Sequence, residues 1–289
     1  MSEGGNLPAY TLGSSTVERE RLRSQADDLR PHSEELFGRI GVKPGWSALD
    51  LGCGPCGNLG LLAELTGPDG RVLGLDVNPD HVRLAGESAA ARELGNVTVS
   101  VADARATGLP GSSFDLIYAR LLLINIPWPA DVVAEMARLA RPGGWVAGEE
   151  ADAIFICHPP HEAWDRLAAI LRQAWRLEEA DITMGRQMTG LYRAAGLEDV
   201  GVRAFADVHP AGHRRRMIVP DLVRSLRPKI LERELLTERQ LDELDGAARA
   251  HIEDPRTVML PMLYFTAWGA SRASASAANP GVSGACHAS

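Results

Sequence analysis

The chain has 289 residues, of which 45% are hydrophobic and 24% charged; this is typical of a globular protein and excludes a disordered, collagen-like or disulfide-rich chain. Its 30 basic and 38 acidic residues give a net charge of −8, which opposes docking on nucleic-acid phosphates or anionic lipid. We therefore expect neither nucleic acid nor a membrane among its partners.

The small numbers of lysines and cysteines limit the reactions that the protein can catalyse and indicate its cellular compartment. Lys43 and Lys229 are the only lysines, so Schiff-base chemistry has few candidates. Four cysteines are too few for a disulfide framework, and the chain shows neither a signal-peptide pattern nor an apolar run of about 20 residues. We expect a cytoplasmic protein.

Residues 1–44 are predicted to form a helical accessory segment before the first strand. After an irregular stretch, Ser15 and Glu18 have the spacing of a capping box, in which the serine side chain caps backbone donors and the glutamate reciprocates. A helical pattern runs from there to about Arg30 and resumes over Pro31–Ile40.

Residues 45–150 alternate short β-rich runs with amphipathic helices, which is the pattern of a parallel sheet wrapped by helices. Asn78 and Pro79 are typical of a helix start, and Gly95 is typical of a position just past a helix end. These features favour a doubly wound α/β fold. The predicted strands are Ser47–Leu51, Arg71–Leu75, Val97–Val101, Phe114–Ala119 and Trp145–Glu149.

Residues 151–271 are mostly helical and are predicted to complete the sheet and to carry a helical lid. Helical patterns lie near 161–179, 185–195, 216–233 and 237–251, the last opening with a second capping box. Leu197–Val208 and Arg256–Trp268 are two further strand candidates. Residues 272–289 are rich in Ala, Ser and Gly and are predicted to be disordered.

A glycine-rich loop, Asp50–Gly57, follows the first predicted strand and precedes a helix predicted at Asn58–Leu65. Glycines permit a tight turn and a close approach of a ligand to the backbone, and a helix start offers unpaired N–H groups. The glycine spacing alone also fits a dinucleotide site, so the position of the loop between a strand and a helix is the stronger indication of a ligand.

Acidic residues end the first three predicted strands. Asp50 ends the first strand, Asp76 ends the second, nineteen residues after Gly57, and Asp103 follows the third. Since ligands bind at the carboxyl ends of parallel strands, the three acids are predicted to share one crevice, where Asp76 can accept both hydroxyls of a ribose. Like charges need a positive partner, so S-adenosylmethionine, with its sulfonium and ammonium, fits better than a pyrophosphate.

These motifs resemble those of class I S-adenosylmethionine-dependent methyltransferases, and look closest to the small-molecule methyltransferases of bacterial secondary metabolism. The resemblance covers about residues 46–150. It implies a Rossmann-like, doubly wound sheet of seven strands, mostly parallel with a final antiparallel strand, plus a helical lid. It rests on the segments Leu49–Gly54, Leu75–Asn78, Ala102–Ala104, Phe114–Arg120 and Arg141–Gly144.

The same resemblance implies roles for individual residues. Gly52 and Gly54 would lie along the methionine portion of the cofactor, Asp76 on the ribose and Asp103 on the adenine amine. The product would be S-adenosylhomocysteine. The other expected cofactor residues are Tyr10, Gln25, Asp50, Cys53, Val77, Ala104, Ala119 and Arg120.

One position departs from the family pattern. Some relatives have a histidine shortly after the fourth strand, where this chain has Asn125. Asparagine cannot act as a general base, so that role is not assigned here. The stretch Tyr10–Gly13 resembles relatives in which the N-terminal segment closes over the cofactor.

Other motifs have a structural interpretation that outweighs the functional one. Cys53 and Cys56 lack the second pair of a zinc site, and the pairs His158/His161 and His209/His213 lack a third ligand. Arg214–Arg216 is expected to be a solvated or ion-paired surface rather than an anion site. We expect no metal.

Methyl transfer is a direct displacement, so the protein mainly aligns the acceptor with the methyl group, and a base is needed only if the acceptor must lose a proton. Glu149, Glu150, His158 and His161 are the candidates for that base. Alternation along a strand sends the two glutamates to opposite faces, so only one of them is expected to face the crevice. The helices at 1–40 and 151–255 are expected to cover a small organic acceptor.

Two rival functions remain open at this point. An NAD-dependent oxidoreductase also satisfies the glycine pattern with Asp76, although no Tyr-x-x-x-Lys pair is present and the other two acids would have no role. A non-catalytic S-adenosylmethionine-binding protein is the second rival. The sequence leaves open the acceptor molecule, the methylated atom (N, O, C or S) and the oligomeric state. A homo-oligomer is compatible with the sequence.

Overall fold

A computed structural model describes residues 16–55, 57–177 and 180–273, with the backbone alone at 16–21, 23 and 24. Tyr10, Ser15, Cys56 and the tail from 274 onward therefore lie outside the described residues, as does the first predicted capping box.

The helices are α1 (Thr16–Ile40), α2 (Leu59–Thr66), α3 (Pro79–Ala91), α4 (Pro129–Leu139), α5 (Glu162–Leu177), α6 (Met188–Ala194), α7 (Ile218–Glu232) and α8 (Glu238–Glu253). The strands are β1 (Ser47–Leu51), β2 (Arg71–Asp76), β3 (Val97–Val101), β4 (Phe114–Arg120), β5 (Ala140–His158), β6 (Glu198–Phe205) and β7 (Val258–Ala270).

The strands form one sheet in the order β3-β2-β1-β4-β5-β7-β6. The pairs among β1 to β5 are parallel, whereas β7 is antiparallel to both β5 and β6. The predicted fold class, a seven-stranded and mostly parallel sheet with a final antiparallel strand, is confirmed. Because the chain leaves β1 for β2 on one side and β4 pairs with β1 on the other, the carboxyl ends of these strands open a crevice.

Apolar side chains form two clusters, one on each face of the sheet. Leu49 and Ile117 belong to one cluster, and their chain neighbours Ala48 and Leu116 belong to the other. Successive strand residues point to opposite faces, so both faces must be covered by helices. This double burial explains why the central strands are almost continuously apolar.

Helix α1 is one continuous helix of 25 residues, whereas the sequence predicted a break at Pro31. The ring of Pro31 is exposed, and the buried face of the helix continues across it through Leu29, Ser33, Phe37 and Ile40. Packing of this face outweighs the loss of one backbone hydrogen bond. No helix in the described ranges is both long and apolar enough to cross a bilayer.

Strand β5 is 19 residues long, far longer than the predicted Trp145–Glu149. Its second half pairs with β7 as far as His158, opposite Val258. The predicted strand stopped at Glu149, but Glu149, Glu150 and Asp152 are all buried inside the observed strand. Each accepts hydrogen bonds from neighbouring elements, which allows charged residue types to continue the strand.

Two predicted helix caps, at Asn78 and Thr237, are confirmed, whereas Asn58 precedes a helix without capping it. Asn78 accepts a 2.9 Å hydrogen bond from Asp80 N at the start of α3, and Thr237 with Gln240 forms the capping box of α8. Asn58 precedes α2 but makes no side-chain cap. Its amide instead donates to Tyr118 and into the buried network described below.

Candidate functional site

A cavity of about 230 Å³ lies at the carboxyl ends of the parallel strands. One end is lined by the glycine loop and the strand-end acids, and the other by apolar side chains from later elements. Ten of the twelve expected cofactor residues line it: Gln25, Asp50, Gly52, Cys53, Gly54, Asp76, Val77, Asp103, Ala104 and Arg120. Of the other two, Ala119 is buried in the apolar core, and Tyr10 lies outside the described residues.

Two glycines of the loop are required by its geometry. Gly52 has a φ of 72°, and a Cβ there would lie 2.9 Å from Leu122 Cδ1. A Cβ on Gly57 would lie 2.3 Å from the backbone oxygen of Cys53 and 2.7 Å from Asp50 Oδ2. The loop therefore folds so tightly that a side chain at either position would displace it.

Asp76, at the end of β2, holds the loop in place. Its Oδ2 accepts a 2.9 Å hydrogen bond from Gly54 N, and its Oδ1 accepts a 2.8 Å bond from Asn78 N. The side chain is 11% exposed, and His81 Nδ1 lies 3.4 Å from Oδ1. Both oxygens keep further lone pairs, so a ligand hydroxyl can bond to a carboxylate whose orientation is already fixed.

Asp50, at the end of β1, is the most buried of the three acids. It is 2% exposed, and its Oδ2 accepts a 2.9 Å hydrogen bond from Asn58 N. Burial raises the pKa of this carboxyl to about 7, against the opposing attraction of the Arg120 guanidinium. A bound cation would stabilise its ionised form.

Asp103 is joined to a residue that the sequence did not single out. The guanidinium of Arg105 donates to both carboxylate oxygens, at 2.6 Å from Nη2 to Oδ2, and also lies over the ring of Trp128, 4.2 Å from its centroid. The hydrogen bonds from Arg105 lower the pKa of Asp103. Asp103 is thus an ionised, partly exposed acceptor, and Arg105 and Trp128 line the same part of the cavity.

Behind the loop lies a buried hydrogen-bond network. The amide Nδ2 of Asn58 donates to Tyr118 OH at 2.6 Å and to Ser33 Oγ at 2.9 Å. Both hydroxyls donate to Glu149 Oε1, at 2.7 and 2.6 Å. Burial raises the pKa of Glu149, and the Arg120 guanidinium opposes the rise.

Glu150 points to the opposite face, as strand alternation requires. Its carboxylate accepts hydrogen bonds from Leu123 N at 2.7 Å and from Ile124 N at 3.2 Å. Burial raises its pKa to about 8. Neither Glu150 nor Glu149 is among the residues that line the cavity, so the expected placement of one of them at the crevice is not seen. Glu150 is held by backbone N–H donors, whereas Oε2 of Glu149 is buried without a hydrogen-bond partner in the described part of the chain.

The two histidines expected near the acceptor also lie away from the cavity. His158 is exposed at the far end of β5. His161 stacks on His251 with ring centroids 4.3 Å apart. The structure therefore brings together the cofactor candidates but not the four candidates for a base.

The second histidine pair and the arginine run have structural partners. His209 and His213 stack at 4.3 Å. Arg214 pairs with Asp28, and Arg216 is buried and donates to four backbone carbonyls. Arg215 donates a 2.5 Å hydrogen bond to the hydroxyl of a cavity residue, Tyr264.

Apolar residues line the cavity from elements both before and after residue 150. We call the six lining residues after residue 150 the acceptor wall: Ala151, Trp175, Ile218, Leu222, Met262 and Tyr264. Ala151 and Tyr264 are opposite each other in β5 and β7, and Ile218 and Leu222 are one turn apart on α7. No local motif marks these residues, because the wall is assembled from four separate elements.

Family comparisons agree with this geometry. A family model described as a methyltransferase domain matches residues 48–144. The chain is 30% identical over 262 residues to trans-aconitate 2-methyltransferase of Methylobacterium radiotolerans, covering 86% of this chain and 96% of that relative. It is 30% identical over 185 residues to demethylmenaquinone methyltransferase of Geobacillus kaustophilus, covering 60% of this chain and 79% of that relative.

Other matches are shorter or concern the fold alone. Nocamycin O-methyltransferase of Saccharothrix syringae is 37% identical over 115 residues, which are 40% of this chain and 41% of that relative. The chain spans 39% of a 37.1 kDa protein of Streptomyces fradiae. Phosphoethanolamine N-methyltransferase 2 of Haemonchus contortus, solved with S-adenosyl-L-methionine, superposes with a TM-score of 0.55 at 17% identity, covering 84% of this chain and 53% of that one.

The chain belongs to the S-adenosylmethionine-dependent methyltransferases. The residues present fit this cofactor, because Gly54 lines the cavity with open space where a Cβ would stand, and carboxylates line the same cavity. Hydroxyls, an exocyclic amine and a cationic end are the groups that such carboxylates accept.

Proposed function

We propose that the protein transfers the methyl group of S-adenosylmethionine to a small organic acceptor with a largely apolar body. The observation that supports this most directly is the continuity of the cavity, which joins the glycine loop and Asp76 to the acceptor wall. A cofactor held at one end then presents its reactive group toward an apolar space shielded from water.

Within this proposal, Asp76 accepts the ribose hydroxyls and Asp103 accepts the adenine amine. The bonds from Gly54 N and Asn78 N fix the Asp76 carboxylate before a ligand arrives. Asp50 and Arg120 lie at the methionine end, where a carboxylate suits an ammonium and a guanidinium suits a carboxylate.

The residues of the chain act by positioning the cofactor and the acceptor relative to each other. S-adenosylmethionine, when bound, supplies a methyl group activated by its sulfonium. The acceptor wall holds the acceptor in line and excludes water. The four side chains considered as bases lie outside the cavity, so we propose no general base among them.

The acceptor class is supported by the relatives. Their names specify a menaquinone precursor, aconitate and nocamycin, all small molecules. We propose a mid-sized organic acceptor, a role in secondary metabolism and action in the cytoplasm. The net charge of −8 supports the absence of a nucleic-acid partner.

Calorimetry followed by turnover tests the proposal. S-adenosylmethionine and S-adenosylhomocysteine are expected to bind and NAD is not, and radiolabelled methyl is expected to appear in a small-molecule fraction when an acceptor panel is supplied. Tight binding of NAD with none for S-adenosylmethionine would favour an oxidoreductase. Binding without turnover across a broad panel would favour a non-catalytic binding protein.

A further inference from the structure

We propose that the acceptor wall selects molecules that carry a hydrogen-bond-accepting oxygen, a carbonyl or a carboxylate, on an apolar body, through Tyr264 and Trp175. This inference rests on the proposed function and specifies its substrate class. The other four wall residues have apolar side chains: Ala151, Ile218, Leu222 and Met262. The polar groups of the acceptor wall are therefore the hydroxyl of Tyr264 and the indole N–H of Trp175.

The hydroxyl of Tyr264 is set up as a donor. Arg215 Nη2 lies 2.5 Å from the phenolic oxygen, and a guanidinium can only donate, so this oxygen accepts from Arg215. The phenolic proton then needs a different acceptor. No backbone group of residues 16–55, 57–177 and 180–273 accepts it, and neither does any side chain at 22 or within 25–55, 57–177 and 180–273. A ligand oxygen in the cavity is the partner that the phenol lacks.

A positive charge lies behind this phenol. Arg215 is 10% exposed and has its Nε 3.6 Å from Asp28 Oδ2, while Arg214 Nη2 lies 2.8 Å from Asp28 Oδ1. By donating to the phenolic oxygen, the Arg215 guanidinium polarises the O–H bond. This strengthens the phenol as a donor and favours an anionic or strongly polarised oxygen in front of it.

Trp175 contributes a second hydrogen-bond donor whose proton has no acceptor in the described part of the chain. It lies near the end of α5, is 5% exposed and lines the cavity. Its Nε1 is buried and has no hydrogen-bond partner in the described part of the chain. Trp164, on the same helix but outside the cavity, donates its Nε1 to Phe155 O at 3.0 Å. An indole N–H is a donor only, so Trp175 also calls for an oxygen acceptor.

Selection follows from the cost of leaving such donors unpaired. A site that hydrogen-bonds a substrate group rejects an analogue of the same shape that lacks it, because its own buried polar groups then stay unpaired. An apolar pocket without these donors would bind both molecules about equally.

The test compares three probes with the same apolar body: 2-naphthoate, 2-acetylnaphthalene and 2-ethylnaphthalene. Binding to the full chain saturated with S-adenosylhomocysteine is measured by calorimetry. We expect the two oxygen-bearing probes to bind at least about tenfold more tightly than 2-ethylnaphthalene. Preference for 2-naphthoate over 2-acetylnaphthalene identifies a carboxylate as the preferred group, and the reverse order a neutral carbonyl.

Variants assign the preference to the two residues. Tyr264→Phe keeps the ring and removes only the hydroxyl, and Trp175→Phe keeps an aromatic side chain but removes the indole N–H and part of the ring. Each is expected to reduce the preference severalfold. Trp46→Phe is the control, because Trp46 Nε1 is also buried without a partner in the described chain but lies outside the cavity. Unfolding temperatures with bound S-adenosylhomocysteine exclude loss of the fold.

Two results would overturn the inference: no preference for the oxygen-bearing probes, including failure of all three to bind, or a preference that survives in both variants. Failure of the proposed function looks different: either S-adenosylhomocysteine itself does not bind, or it binds and no acceptor in the panel is methylated. The first titration detects the former and the turnover assay the latter, whereas the present inference is decided by the relative affinities of the three probes.

Discussion

Ser33 Oγ, on α1, donates a 2.6 Å hydrogen bond to Glu149 Oε1, in the middle of β5. The same oxygen accepts from Tyr118, which in turn accepts from Asn58 directly after the glycine loop. One buried carboxylate therefore ties the N-terminal helix to the sheet and to the loop. The position of α1 and the geometry of the cofactor end are coupled through these four side chains.

Ser33→Ala is expected to loosen α1. The change leaves Glu149 with one donor fewer in a buried site, which costs about 1–3 kcal/mol of the free energy of unfolding. Hydrogen exchange is expected to accelerate along α1, and S-adenosylhomocysteine binding to weaken. Ser88→Ala, at an exposed position of α3, is the matched control. Equal losses in the two variants would contradict the coupling.

Asp76→Ala is expected to weaken binding of S-adenosylhomocysteine by about 1.5–3 kcal/mol, the usual range for a hydrogen bond to a charged group. Asp76→Asn keeps one acceptor oxygen and is expected to lose less. Isothermal titration measures both, with the exposed Asp69→Ala as control. Unchanged affinity in Asp76→Ala would remove this residue from the site.

Gly57→Ala is expected to displace the loop, since its Cβ would meet the Cys53 carbonyl oxygen at 2.3 Å. We expect lower thermal stability and loss of measurable cofactor binding. Gly38→Ala provides the contrast: Gly38 lies in α1, is exposed and has nothing within 4 Å of an added Cβ. In that variant stability is expected to rise by about 0.5–1 kcal/mol, because alanine favours helix. If Gly57→Ala keeps the thermal stability and cofactor binding of the parent chain, the loop can accommodate a methyl group and this prediction is wrong.

Stability is expected to fall as pH rises from about 4.5 to about 8. The pKa of Glu150 is raised from 4.5 to about 8 in the folded state, so the folded protein holds a proton there that the unfolded chain releases. This contribution is fully present below pH 4.5 and is lost as pH passes 8. Asp50, raised to about 7, acts in the same direction.

Glu150→Gln removes most of this pH dependence. Glutamine keeps one oxygen for Leu123 N, loses the second oxygen that accepts from Ile124 N, and does not ionise. The lost bond lowers stability at every pH, so the slope against pH is the quantity that is compared. At about 1.4 kcal/mol per pKa unit, the expected difference between pH 5 and pH 8.5 is a few kcal/mol. Urea unfolding of both proteins at the two pH values measures it, with the exposed Glu243→Gln as control. Parallel pH profiles for Glu150→Gln and the parent chain would contradict the raised pKa.

The cofactor end could be predicted from the sequence because its residues belong to local motifs. Asp50, Asp76 and Asp103 each lie at or just after the end of a strand, and the parallel topology brings strand ends together whatever the intervening helices contain. Short-range spacing therefore fixed where these side chains meet. The partners Arg105 and Trp128 were missed, because an arginine two residues after an acid is equally compatible with a solvated surface.

The acceptor end could not be predicted in the same way. Trp175 and Tyr264 are nearly ninety residues apart in the chain, and only the pairing of β7 with β5 and the packing of α5 bring them to one cavity. Glu149 and Glu150 looked available for catalysis because burial inside a strand is rare for glutamate. Their hydrogen-bond donors come from α1, β4 and the turn after β4, which no local pattern reveals.

The place of β7 in the sheet determines the order in which the two ends of the cavity can be made. Within the described residues, β7 is the last strand but lies between β5 and β6, and β6 pairs with no other strand there. Synthesis from the N-terminus therefore makes β1 to β5 and the glycine loop before Met262 and Tyr264 of the acceptor wall. The acceptor wall can be completed only when β7 inserts between β5 and β6.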